Sequence, residues 1–80
     1  MIPKIKKIKF LEEYKIKIDF SNDKSKLYDA SKLFDKSDFL PLKNLVLYHQ
    51  GKVDVGGYGI YWNDDIDISE YEVWSNGIDL

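Results

Sequence analysis

Gly56-Gly57-Tyr58-Gly59-Ile60-Tyr61-Trp62-Asn63-Asp64-Asp65-Ile66-Asp67-Ile68-Ser69 carries three of the chain's five glycines, one of its two tryptophans and a dense acidic cluster. The glycines turn the chain, Gly59–Trp62 is rich in β-formers, and Asn63-Asp64-Asp65 is a loop. The segment then leads into a last helix. Immediately upstream, Lys52-Val53-Asp54-Val55 alternates, so the turn lies between two strand-like runs and the whole predicts a hairpin. Nothing in the stretch has the spacing of a catalytic or metal motif. The glycine run lacks the Lys-Ser/Thr of a phosphate-binding loop and precedes a strand, not a helix.

A second hairpin stands near the start. Tyr14, Ile16, Ile18 and Phe20 alternate with Lys15, Lys17 and Asp19, the period of a half-buried strand. Ile5–Phe10 is also strand-like, but its alternation slips at Lys6-Lys7, which predicts a bulge in a lysine-guarded edge strand. Glu12-Glu13 is the tight connection between them. Lys26–Asp29 predicts a short third strand. Between 30 and 46 the period becomes helical. Ala30, Leu33 and Phe34 follow a capping Asp29, and Phe39, Leu42, Leu45 and Val46 repeat the spacing with Pro41 at a first helical position. Ser69-Glu70-Tyr71-Glu72 matches a capping box, and Asn76-Gly77 predicts a left-handed stop.

Eighty residues make a single α+β domain over 1–80: a four- or five-stranded, mostly antiparallel sheet of two hairpins with short helices. Such a chain buries only about 60% of its unfolded surface. With no cysteine, that thin core rests on large β-branched and aromatic side chains, and a homodimer would reinforce it. No apolar run approaches the roughly 20 residues of a membrane span and no signal peptide precedes the first strand, so a cytoplasmic protein is expected. The net charge of −2 is unevenly spread. Residues 1–17 hold six lysines against two glutamates, whereas residues 53–80 hold seven acids and no lysine.

The order of these features resembles the small bacterial domain-of-unknown-function family 2442. It is carried by the Ile-Pro-Lys-Ile opening, the Tyr-x-Ile-x-Ile-x-Phe strand and Phe39-Leu40-Pro41-Leu42-Lys43-Asn44. Val53-Asp54-Val55, Gly59-Ile60-Tyr61-Trp62, Asp65-Ile66-Asp67-Ile68-Ser69 and a closing aromatic with Gly77 complete it. The turn after the second strand departs from the pattern, since Ser21-Asn22-Asp23-Lys24 has no glycine. The resemblance implies a compact α+β domain, often encoded beside another small protein in an arrangement like a toxin–antitoxin pair. It implies no catalytic residues.

His49, the only histidine, lacks the positioned nucleophile and acid of a hydrolase. Asp64, Asp65 and Asp67 lack the order of a calcium loop, and Asp67 fits better as a charge at the start of the last helix. No catalytic residue, metal or cofactor is therefore expected. The expectation is a non-enzymatic protein-binding module, in its most concrete form the antitoxin-like member of a two-gene pair, masking a partner protein encoded nearby. Its interface would combine Tyr58 and Tyr61 with Asp64, Asp65, Asp67 and Glu70, an aromatic centre with a charged rim, while Trp62 belongs to the core. One alternative is a DNA-binding regulator using Lys4, Lys7, Lys9, Lys15 and Lys17, although a chain without arginine lacks the usual reader of guanine. Another is a phage-encoded inhibitor of a host defence nuclease whose acidic face imitates nucleic acid.

Overall fold

Because side chains alternate across a strand, positions 16, 18 and 20 must share one face. The computed structural model, which describes residues 2–80, places them in β2 (Lys15–Phe20), with Ile16, Ile18 and Phe20 fully buried. β1 (Ile5–Phe10) pairs with β2 antiparallel, and the register slips between Ile5 and Lys7, the bulge expected at the lysine pair. β2 starts one residue later than the alternation suggests. Glu13 and Tyr14 adopt left-handed backbone at φ 60° and 59°, a costly state for residues with a Cβ. Packing holds Tyr14 there: its ring lies 4.9 Å from those of Phe34 and Tyr48, and its hydroxyl donates to the Lys43 carbonyl.

β3 (Ser25–Asp29) joins the other side of β2, and β7 (Ile78–Asp79) pairs with β3 to complete a four-stranded sheet in the order β1-β2-β3-β7. The second hairpin builds its own sheet from β4 (Lys52–Val53), β5 (Gly59–Asn63) and β6 (Ile66–Ser69). The class is α+β with antiparallel strands, as expected, but the two hairpins lie in separate sheets. Their inward faces share one core, in which Ile16, Ile18, Phe20 and Tyr28 of the first sheet join Ile60, Trp62, Ile66 and Ile68 of the second.

The segment from Asp65 does not enter the helix directly. Ile66 and Ile68 alternate inward with Asp67 and Ser69 outward, a period of two, so the run is β6 and Asp67 is a strand residue opposite Tyr61. Val55, expected in a strand, is instead 91% exposed in the 3₁₀ turn Val55–Gly57.

Along the chain, β3 is joined to β4 by two 3₁₀ segments, Ala30–Asp35 and Ser37–Lys43, and α1 (Leu45–Tyr48). Asp29 caps the first, its carboxylate accepting the Ser31 N–H. Pro41 lies inside the second, not at the start of an α-helix. Asn44 accepts the Val46 and Leu47 N–H groups and so begins a new helical turn. The spacing through Leu45 and Val46 therefore does not continue one face; both are exposed, while Leu42 and Tyr48 are buried.

α2 (Glu70–Asn76) starts as the capping box predicts, with the Ser69 hydroxyl accepting the Glu72 N–H at 3.1 Å. Glu72 does not reach back. Its carboxylate accepts the Tyr28 hydroxyl at 2.9 Å and the Asn76 side-chain amide at 3.0 Å, tying the helix to β3. Burial and this acceptor together push the Tyr28 hydroxyl pKa up. Gly77 ends the helix in extended backbone (φ −76°, ψ 155°), not the left-handed stop expected. Glycine is required there because a Cβ would lie 2.6 Å from the Val73 carbonyl oxygen. Ser69→Ala should lower stability by about 1 kcal/mol in urea unfolding, with the slope unchanged.

Candidate functional site

β5 presents Ile60 and Trp62 to the core and Tyr61 to solvent. Tyr61 stands between Lys52 of β4 and Asp67 of β6 on the outer face of the small sheet. Asp54 begins the following turn, its carboxylate accepting the Val55 N–H at 2.8 Å. The turn brings Tyr58 up beside Tyr61, at 57% and 40% exposure. Asp54, Tyr58, Tyr61 and Asp67, with Gly59 and Ser69, line an open cleft of about 150 Å³. Trp62 is core, as expected; its indole N–H donates to the Tyr48 carbonyl at 2.8 Å.

The other interface candidates divide. Asp64 and Asp65 are exposed in the β5–β6 turn, where the Asn63 side chain accepts the Asp65 and Ile66 N–H groups. Glu70 points elsewhere. Its carboxylate lies 3.4 Å from the Lys4 ammonium with only 17% of its side chain exposed, and that ammonium sits 4.0 Å from the centre of the Tyr58 ring. Glu70 and Lys4 thus brace the start of α2 against the turn. Ion pairs also engage Asp19, Asp23, Asp29 and Asp79. Among the described residues, no salt bridge engages Asp54, Asp64, Asp65 or Asp67.

Lys7, Lys9, Lys15 and Lys17 do share the outer face of the large sheet, with Lys9 directly opposite Lys17. Lys4 is not with them. Two carboxylates interrupt the stripe: Asp19 lies 3.9 Å from both Lys7 and Lys17, and Asp29 lies 4.0 Å from Lys15. The Ser25 hydroxyl, donating at 2.6 Å, holds the Asp19 carboxyl below its ordinary value, and the nearby lysines add to this. The Ser31 hydroxyl does the same for Asp29, aided by its N–H and by Lys15. Folding therefore favours the charged carboxylates. The stabilisation is present above the unfolded aspartate pKa of about 3.9 and is lost as pH falls through the lower folded values. Acid unfolding should accordingly begin at higher pH in Ser31→Ala than in the parent chain, read by circular dichroism.

His49 ends α1, edge-on to the Phe10 and Tyr48 rings at 5.8 and 5.3 Å. Among the described residues, no three histidine or acidic side chains converge to hold a metal ion. Sequence reasoning missed Asp54 as a cleft residue, although alternation over 52–55 places it opposite Val53. It also missed the Lys4–Glu70 brace, which links positions 66 residues apart and leaves no local signal.

Among the described residues, no helix is long and apolar enough to cross a membrane. A family model described as "Protein of unknown function (DUF2442)" matches residues 5–79. No curated protein and no solved structure matches the chain.

Proposed function

The chain belongs to the DUF2442 family, whose description names no activity, and from its own surface we propose a non-enzymatic, cytoplasmic protein-binding module. In its most concrete form it is the antitoxin-like member of a bacterial two-gene pair that masks a partner encoded nearby. One observation carries the binding role: two exposed tyrosines line an open cleft with Asp54 and Asp67, which no ion pair engages among the described residues. Tyrosine is favoured at interface centres because it brings large area at low entropic cost, and unpaired surface charge speeds encounter with an oppositely charged partner. The lysine face supports nucleic-acid binding less well, because Asp19 and Asp29 are set within it.

Affinity capture from the source organism, with and without nuclease treatment, tests the proposal. A single stoichiometric protein should survive the nuclease and be lost when Asp64, Asp65 and Asp67 are changed together to asparagine. Nucleic acid released by moderate salt would overturn it, as would a partner indifferent to the triple substitution.

A further inference from the structure

Resting on that reading, we propose that the cleft between Tyr58 and Tyr61 seats an arginine side chain of the partner protein. The lining is what a guanidinium needs. The exposed Tyr61 ring offers a surface for stacking with Tyr58 beside it, and Asp54 at the start of the turn and Asp67 in β6 offer carboxylates from two separate segments. No basic side chain lines the cleft, and neither aspartate is engaged in an ion pair among the described residues.

A second observation points to a cationic occupant. The Tyr58 ring already holds one cation, the Lys4 ammonium at 4.0 Å, and Lys4 is not part of the cleft lining. The chain thus uses this ring for cation–π attraction once, with Glu70 as counter-ion. The cleft sets the same residue types together, Tyr61 beside Asp67 with Asp54 across from them, and no basic side chain in its lining. Arginine suits it better than lysine, because a planar guanidinium stacks on an aromatic ring while its N–H groups fork to a carboxylate.

The test is an amide chemical-shift titration with the peptide acetyl-Gly-Arg-Gly-amide, and with its citrulline counterpart, which keeps the shape and removes the charge. Saturable shifts confined to residues 54–61 and 67–69 are expected with arginine and none with citrulline. Asp67→Asn and Tyr61→Leu, each retaining the parent's spectrum elsewhere, should weaken the arginine peptide about two- to fivefold, the range for exposed ion and cation–π pairs. Shifts that do not saturate, that citrulline reproduces, or that map to Asp19 and Asp29 would overturn the proposal. A partner captured through the acidic face without any arginine-peptide shift would remove the arginine seat and leave the binding module standing. A saturable peptide without any captured protein would do the reverse.

Discussion

Gly57→Val should lower the thermal midpoint by roughly 15 °C or more. Gly57 sits at φ +77°, where a β-branched residue costs about 1–3 kcal/mol in backbone strain alone. Its missing side chain also lets the turn lie directly on β1. A Cβ would be driven into the Ile5 carbonyl oxygen and to 2.9 Å from the Ile5 nitrogen. Both are backbone atoms of a paired strand and cannot step aside, so the substitution separates the two sheets. Gly56→Ala is the control. Its φ of +84° is equally unfavourable, but the new Cβ would meet only the ring of Tyr58, a side chain exposed enough to move. A loss of about 1 kcal/mol is expected there. Equal losses at the two positions would show that strain alone acts, and that the close approach to β1 contributes nothing.

The second large effect is at Tyr48, where Tyr48→Ala should cost about 3–5 kcal/mol in urea unfolding. For a chain of this length that is a large part of a total of roughly 4–12 kcal/mol. The Tyr48 ring is buried and packs edge-on at 4.9 Å against both Phe10 and Tyr14, so it ties β1 to the connection before β2. Its hydroxyl donates to the Lys15 carbonyl at 3.1 Å. Tyr48→Phe keeps the rings in contact and removes only that bond, and a loss of about 1 kcal/mol is expected. The Trp62 indole bonds to the Tyr48 backbone carbonyl, which both variants retain. The Phe10 ring lies against both Tyr48 and Trp62, so tryptophan fluorescence should be native-like in Tyr48→Phe, which keeps the ring, and altered in Tyr48→Ala, which frees Phe10 to shift.

What could be read from the residues was the local periodicity. The faultless alternation through Ile16, Ile18 and Phe20, the slip at Lys6-Lys7 and the Ser69 cap all describe neighbours in the chain, and each is found as read. The failures lie where distant residues decide. Tyr14 alternates perfectly with Ile16 but is turned left-handed by contacts with Phe34, Lys43 and Tyr48. β7 has two residues and no pattern; only its pairing with Lys26 and Leu27 makes it a strand. Leu45 and Val46 continued a helical spacing that Asn44 interrupts by capping a new turn.

The candidate surface was legible to the same degree. Tyr61 and Asp67 follow from strand alternation and meet across β5 and β6. Glu70 does not join them, because a lysine from the opposite end of the chain claims its carboxylate. The lysine stripe was partly legible for the same reason. Alternation brings Lys15 and Lys17 together, and pairing adds Lys7 and Lys9, but it also brings Asp19 and Asp29 into their midst.

The most direct test of the binding face is cross-saturation transfer from the captured partner to the isotope-labelled chain. Signal loss should centre on Tyr58, Tyr61 and Asp67, with Lys7, Lys9, Lys15 and Lys17 unaffected. Loss centred on those lysines, or on the exposed Leu45 and Val46, would contradict the assignment of the tyrosine cleft as the place where this domain meets its partner.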